Sequence, residues 1–406
     1  MSVGLNFPET LIPIKGIRLS AISANIYAKK RNDLILIELA EGSGASAVFT
    51  KNLFCAAPVI IAKKNLIKSE PRYCLINAGN ANAGTGEQGI LDAIDTCRFL
   101  ADLTHCQEEQ VIPFSTGVIG QDLPVEKIKD ALPELIQNLS EDYWLDAAKA
   151  IMTTDTIPKA VSSQIDLNGT TVSITGMVKG AGMIKPDMAT MLAFIGTDAN
   201  ISKSLLDKIL SKAVNKSFNR ITIDGDTSTN DACIIFSTGK AGNHLIDNSN
   251  SDDYIDFENA VIKLCCDLAQ AIVRDGEGAT KFISIEISAG KNEKECLSVG
   301  YKIAESPLVK TAFTASDANW GRIIAAIGNS GIHDLDINKI DVYLDDVCIV
   351  ENGRRSETYT EEKGIRVMSQ DEINLSVNLH RGAHNEKLWT TDLSHEYITI
   401  NAEYRS

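Results

Sequence analysis

The stretch KGAGMIKPDMATMLA, Lys179 to Ala193, constrains this chain more than any other. Gly180 and Gly182 give it backbone freedom, Pro186 restricts it, and the apolar run Met191 to Ile195 follows at once. A loop able to hold unusual conformations therefore feeds a strand that must be buried. One hydroxyl, that of Thr190, stands at the junction.

At 406 residues the chain is long enough for a large core and two domains. Its formal net charge of -15 argues against nucleic acid or an anionic membrane as partner, since both favour a basic surface. The start, MSVGLNFPET, lacks the basic end and apolar centre of a secretory signal. No apolar run approaches the roughly 20 residues of a membrane span. Nine cysteines without a CxxC spacing read as the reduced thiols of a cytoplasmic protein. No metal is expected. His380 and His384 would share a face only on a helix, yet they follow a strand-like alternation, and no HExxH occurs. DGDTSTND, Asp224 to Asp231, lacks the ligand spacing and closing glutamate of a calcium loop.

Apolar runs bounded by turns predict strands at Leu34–Leu39, Ala47–Thr50, Tyr73–Ile76, Val111–Phe114, 160–166, 170–178, Ala232–Phe236 and Phe282–Ile287. The first 65 residues read as strands and turns. Helical periodicity predicts helices after Gly89, near 124–138 and 142–151, over 205–214, and most clearly over 255–274. Asp252, Asp253, Asp256 and Glu258 read as a solvated helix start. Ser306 and Pro307 read as the cap and first position of another helix. Ile373, Leu375, Val377 and Leu379 alternate with polar residues as in a half-buried strand, and a last strand is expected near 395–401. A domain boundary is placed near 280, giving units 1–280 and 281–406. Ser115-Thr116-Gly117 ends an apolar strand, either as a simple turn or as a place where backbone N–H groups face a ligand.

A threonine hydroxyl is a weak nucleophile at neutral pH and needs a base. No histidine lies near Thr190 in sequence. If the Ala189–Thr190 bond were cut, the new α-amino group, with a pKa of about 7.7–8.0, could take the hydroxyl proton. The same hydroxyl could make the cut by attacking the Ala189 carbonyl. Residue chemistry alone permits this for any Ala-Thr pair in a loop.

KGAGMIKPDMATMLAFIGTDA resembles the self-cleavage signature of the ornithine acetyltransferases, the bifunctional glutamate N-acetyltransferases of arginine biosynthesis. ASAVFTKN (Ala45 to Asn52), NAGNANAGTG (Asn77 to Gly86), FSTGVIG (Phe114 to Gly120), MTTDTIPK (Met152 to Lys159), DGDTSTND, DGEGATK (Asp275 to Lys281) and SDANWGRI (Ser316 to Ile323) resemble further blocks of that family, in family order. The resemblance implies a four-layer αββα sandwich with self-cleaving N-terminal-nucleophile chemistry and a smaller C-terminal α/β domain. It implies a cut at Ala189–Thr190 into chains 1–189 and 190–406, which pair into an α2β2 heterotetramer. Thr190 would then carry acetyl from N-acetylornithine to glutamate in a ping-pong cycle. No cofactor is implied, although some members also take acetyl-CoA as donor.

By the same resemblance Thr116 and Gly117 form the oxyanion hole. Lys179 suits the α-carboxylate shared by ornithine and glutamate. Thr153, Glu277, Asn401 and Ser406 match substrate-contacting positions, with Thr154 and Thr156 as neighbours of the same type. Asn230, Asp231 and Arg322 lie in matching blocks without an assigned role. The competing readings are an amidohydrolase or aminopeptidase that uses water as acceptor, a nucleotide-binding protein with a glycine cradle, and a non-enzymatic binding module. The stretch lacks both GxxxxGK[ST] and GxGxxG.

Overall fold

A computed structural model describes residues 2–8, 10–27, 30–185 and 191–403. In chain order the first part contains β1 (Ile17–Ile22), β2 (Leu34–Leu39), β3 (Gly44–Phe49), α1 (Ala57–Lys68), β4 (Tyr73–Asn80), α2 (Gly86–Thr104) and β5 (Val111–Val118). Then come α3 (Val125–Gln137), α4 (Trp144–Ala150), β6 (Lys159–Leu167), β7 (Thr170–Lys179), β8 (Leu192–Thr197), α5 (Lys203–Lys216), β9 (Ile221–Thr222), β10 (Ala232–Ser237) and α6 (Asp252–Arg274). The remainder comprises β11 (Phe282–Gly290), α7 (Glu293–Ala304), α8 (Pro307–Thr314), α9 (Trp320–Gly328), β12 (Asp341–Leu344), β13 (Val347–Glu351), β14 (Arg354–Arg355), α10 (Glu361–Met368), β15 (Glu372–Asn378), β16 (His384–Thr391) and α11 (His395–Ala402).

Two sheets stack face to face, one ordered β1-β2-β4-β5 and the other β3-β10-β8-β7-β6. The continuous apolar runs in their strands follow from this stacking. In β2, Ile35, Ile37 and Leu39 enter the core between the sheets, while Leu34 and Leu36 face α2 and α3 on the outside. In β8 and β10, Leu192, Phe194, Ile234 and Phe236 point between the sheets, and Ala193, Ile195, Cys233 and Ile235 point at α5 and α6. A strand covered on both faces has no solvated side on which to alternate. Phe114 and Phe194 meet edge to face across the gap, with centroids 5.0 Å apart. The order helix, sheet, sheet, helix makes four layers. Residues from Phe282 onward, joined at one edge by β9, build a third sheet, β14-β13-β12-β15-β11-β16-β9, with its own core.

Three expectations need correction. Residues 57–68 form a helix, not strands and turns; Pro58 sits in its first turn, where a missing N–H costs nothing. The end of the chain is helical over His395–Ala402, capped by the Ser394 hydroxyl, which accepts from the Glu396 N–H. Its residues are all at least partly exposed. Glu258 is buried, bonded to the Tyr254 hydroxyl at 2.9 Å, whereas Asp252 and Asp253 do open α6. Of the two readings left open for Ser115-Thr116-Gly117, the simple turn is excluded, because Ser115 to Val118 continue β5. Among the described residues no helix is long and apolar enough to cross a membrane.

Candidate active site

A cavity of about 270 Å³ opens where the C-terminal ends of β5 and β7 meet the start of β8. Thr116, Gly117, Thr153, Lys179, Glu277 and Asn401 all line it, so six residues spread over most of the chain come together. Thr154, Gly182, Met191, Asn230 and Asp231 complete much of the wall. Ala189, Thr190 and Ser406 lie outside the described residues. Met191, the residue after Thr190, is buried on the cavity wall.

Thr116 and Gly117 are held by an unusually close approach of two strands. Gly117 pairs with Gly79 of β4, and a Cβ on Gly117 would lie 2.2 Å from the Gly79 carbonyl carbon. With φ at +131°, the position suits only glycine. Asn230 fixes the same strand end from the other sheet. Its amide donates to the Ser115 carbonyl at 2.9 Å and to the Ala81 carbonyl at 2.6 Å. The loop carrying Asn230 is itself tied to the end of β3: Thr50 N–H donates to the Asp231 carbonyl, and the Thr50 hydroxyl to the Ser228 carbonyl at 2.8 Å. The ASAVFTKN and DGDTSTND blocks thus meet in space. Asp224 of the latter accepts from the Met183 and Ile184 N–H groups at 2.6 and 2.9 Å and from the Tyr397 hydroxyl at 3.2 Å.

Glu277 sits in the turn after α6, with its N–H on the Ala181 carbonyl at 2.8 Å. Its carboxylate lies against Gly182, where a Cβ would fall 2.3 Å from Oε2. Asn401 of α11 donates to that oxygen at 2.7 Å. Arg322 is not at the cavity; it donates to the Leu308 carbonyl at 2.8 Å in the C-terminal part. His380 pairs with Asp341 at 2.7 Å, and among the described residues no cluster of His, Cys, Asp or Glu is arranged to hold a metal. All nine cysteines are free thiols.

The cavity is electrostatically mixed. Burial lowers the pKa of the Lys179 ammonium, against the pull of Asp155, Asp231 and Glu277. Burial also raises Asp231 well above the usual carboxylate range, although Ser228 and Lys179 oppose it. One Asp231 oxygen, Oδ2, is buried with no hydrogen-bond partner among the described residues. A cation flanked by carboxylates suits a small zwitterion, and hydroxyl and backbone donors on a glycine-rich strand end suit a developing oxyanion.

Known proteins match this chain over nearly its whole length. A model described as "ArgJ family" matches residues 18–406. The chain is 53% identical to the "Arginine biosynthesis bifunctional protein ArgJ" of Pseudomonas fluorescens over 100% of both chains. It is 51% identical to the protein of the same name from Psychrobacter arcticus, again over 100% of both. A crystal structure of "Arginine biosynthesis bifunctional protein argJ" from Bacillus halodurans is 42% identical, with a TM-score of 0.51, and covers 53% of this chain and 100% of that one. The chain belongs to the ArgJ family, the acetyltransferases of arginine biosynthesis.

Proposed function

We propose that the chain cuts itself between Ala189 and Thr190 and then uses Thr190 to carry acetyl from N-acetylornithine to glutamate. The freed α-amino group takes the hydroxyl proton as the oxygen attacks the acetyl carbonyl. Thr116 and Gly117 receive the oxyanion, the amine of ornithine leaves with a proton, and the glutamate amine then attacks the acetyl ester. Lys179 receives the α-carboxylate. Glu277 and Asn401, with Thr153 and Ser406, hold the rest of the substrate. The supporting observation is that one cavity gathers Thr116, Gly117, Thr153, Lys179, Glu277 and Asn401 beside Met191, which is adjacent in sequence to Thr190.

The 44.0 kDa chain should run as two fragments on a denaturing gel, with intact mass showing one that begins at Thr190. Thr190→Ala should remain whole and inactive; a cut, active variant refutes the reading. Acetate release from N-acetylornithine that ignores glutamate would instead mark a hydrolase. The relatives are named bifunctional, and we propose acetyl-CoA as a second donor, tested by replacing N-acetylornithine with it. The two fragments pair as α2β2 in the cytoplasm, a stoichiometry that light scattering of the purified protein measures.

A further inference from the structure

Beside the cavity three ionised side chains are buried together. The Lys159 ammonium lies 2.6 Å from Asp155 Oδ1 and 2.6 Å from Asp275 Oδ2, and none of the three side chains is more than 1% exposed. Each carboxylate also takes backbone donors. Asp155 accepts from the Thr153 N–H at 2.9 Å and the Gly180 N–H at 2.7 Å. Asp275 accepts the Thr156 N–H at 3.0 Å and the Thr156 hydroxyl. The cluster therefore grips the Thr153 loop, the residue after Lys179, and the turn two residues before Glu277. Three edges of the cavity hang on one set of buried charges.

The charges do not cancel among themselves. Two carboxylates around one ammonium leave one negative charge, which is strongly disfavoured in a dry interior. Lys179 is the further cation that Asp155 interacts with. Burial would push the Asp155 carboxyl up, but Lys159 and Lys179 outweigh it and hold it well below the usual range. Burial works against the Lys159 charge too, and Asp155 and Asp275 outweigh it. Lys179 brings a second cation to the set, and Asp231 and Glu277 act on it from the cavity side.

We propose that Asp155 is a positioning residue of the active site: its carboxylate holds the Thr153 loop and the Lys179–Gly180 junction in register, and so places Lys179 to meet a substrate carboxylate. The last clause rests on the assignment of Lys179 above. The groups that act on the Lys179 charge are Asp155 in the loop before β6, Lys159 at the first position of β6, Asp231 before β10 and Glu277 after α6. Asp155 and Lys159 act on it in opposite senses.

The test uses the full-length protein with trace acetic anhydride labelling across a pH series, read on the Lys179 peptide by mass spectrometry. Asp155→Asn leaves Lys159 its Asp275 partner, so the fold has no orphaned ammonium. The half-labelling pH of Lys179 should fall by about one unit, roughly a tenfold rise in neutral amine at a given pH. The KM for glutamate should begin to rise at correspondingly lower pH, while Asp155→Glu, which keeps the charge, should restore the wild-type midpoint. If Asp155→Asn does not fold, the variant Asp155→Asn/Lys159→Met/Asp275→Asn removes the charges as a set and should still raise the KM for glutamate, while the opposed effects of Asp155 and Lys159 on Lys179 leave its midpoint little changed. A folded Asn variant that keeps the wild-type KM for glutamate across the pH series overturns the proposal, whatever happens to thermal stability. A wild-type enzyme that transfers no acetyl sinks the acetyltransferase mechanism, and a Lys179 midpoint shifted in Asp155→Asn then still leaves the role of Asp155 beside Lys179 standing.

Discussion

Replacing Asn230 by Asp exchanges one NH2 for one oxygen at constant shape, and it should cost more than deleting the side chain. The Asn230 amide is 6% exposed and donates to two carbonyls, Ala81 at 2.6 Å and Ser115 at 2.9 Å. Its oxygen accepts from the Thr229 hydroxyl at 2.7 Å, which fixes which way the amide faces. In Asn230→Ala the two carbonyls are left buried without this donor, at about 1–3 kcal/mol each, so a loss of roughly 4 kcal/mol is expected. In Asn230→Asp a carboxylate oxygen faces both carbonyls, with the buried Asp231 Oδ2 on the next residue. Folding must then protonate it. The folded pKa rises above the unfolded value of about 3.9, so stability is lost as pH climbs from the unfolded pKa to the folded one, at about 1.4 kcal/mol per unit. Taking a folded pKa of about 7, the variant should lose about 3 kcal/mol more at pH 8 than at pH 5 relative to wild type. Chemical denaturation at the two pH values measures it. If packing alone held Asn230, the isosteric Asp would be harmless and Ala the worse change. Asn230→Asp as stable as wild type at pH 8 would refute the hydrogen-bond argument.

Thr116→Val removes one hydroxyl from a strand end and should lower kcat about 10²–10³-fold in steady-state assays, with KM and melting temperature little changed. Gly117→Ala must place a Cβ against the Gly79 backbone at positive φ, and its melting temperature should drop by many degrees; an unchanged melt would mean the strands can part. Lys310 is buried on the Thr390 hydroxyl and the Thr391 carbonyl, and burial lowers its pKa to about 8 despite Asp392, Asp224 and Glu305. Between pH 8 and 10 the unfolded chain binds the extra proton, so wild-type stability should gain about 2 kcal/mol over that window relative to Lys310→Met, measured by denaturant titration.

Runs such as LILIEL and ACIIF could be read as buried strands because both faces of the stacked sheets are covered. The amphipathic α6 was equally plain, since one face alone meets the sheet. The exposed helix at the C-terminus was not: Tyr397, Ile398 and Ile400 carry no helical stripe because the helix buries none of its residues. Helix α1 hid behind β-branched residues, Val59, Ile60 and Ile61, whose preference its packing against β5 and α2 overrides. Thr116, Gly117, Thr153, Lys179 and Glu277, which line the cavity, lie in the quoted blocks, whereas Asn401 lies in none of them. The roles of Asn230 and of the Asp155–Lys159–Asp275 cluster were not legible, because their partners lie 115 and 116 residues away and only the fold brings them together. Asp155 and Lys159 stood in a quoted block, and their four-residue spacing signalled nothing in a segment that is not helical.

The antiparallel ladder from Ile174↔Thr197 to Lys179↔Leu192 joins β7 to β8 across the proposed cut. Before cutting, the two strands are tethered by a short connection, and their pairing on refolding is unimolecular. After cutting, the ladder still holds in the native protein, but a denatured sample contains two independent molecules. Recovery then depends on protein concentration, and dilution alone disfavours it. Maturation at this bond would therefore act as a ratchet: a protein that folds once as a single chain keeps its shape afterwards without a ready way back.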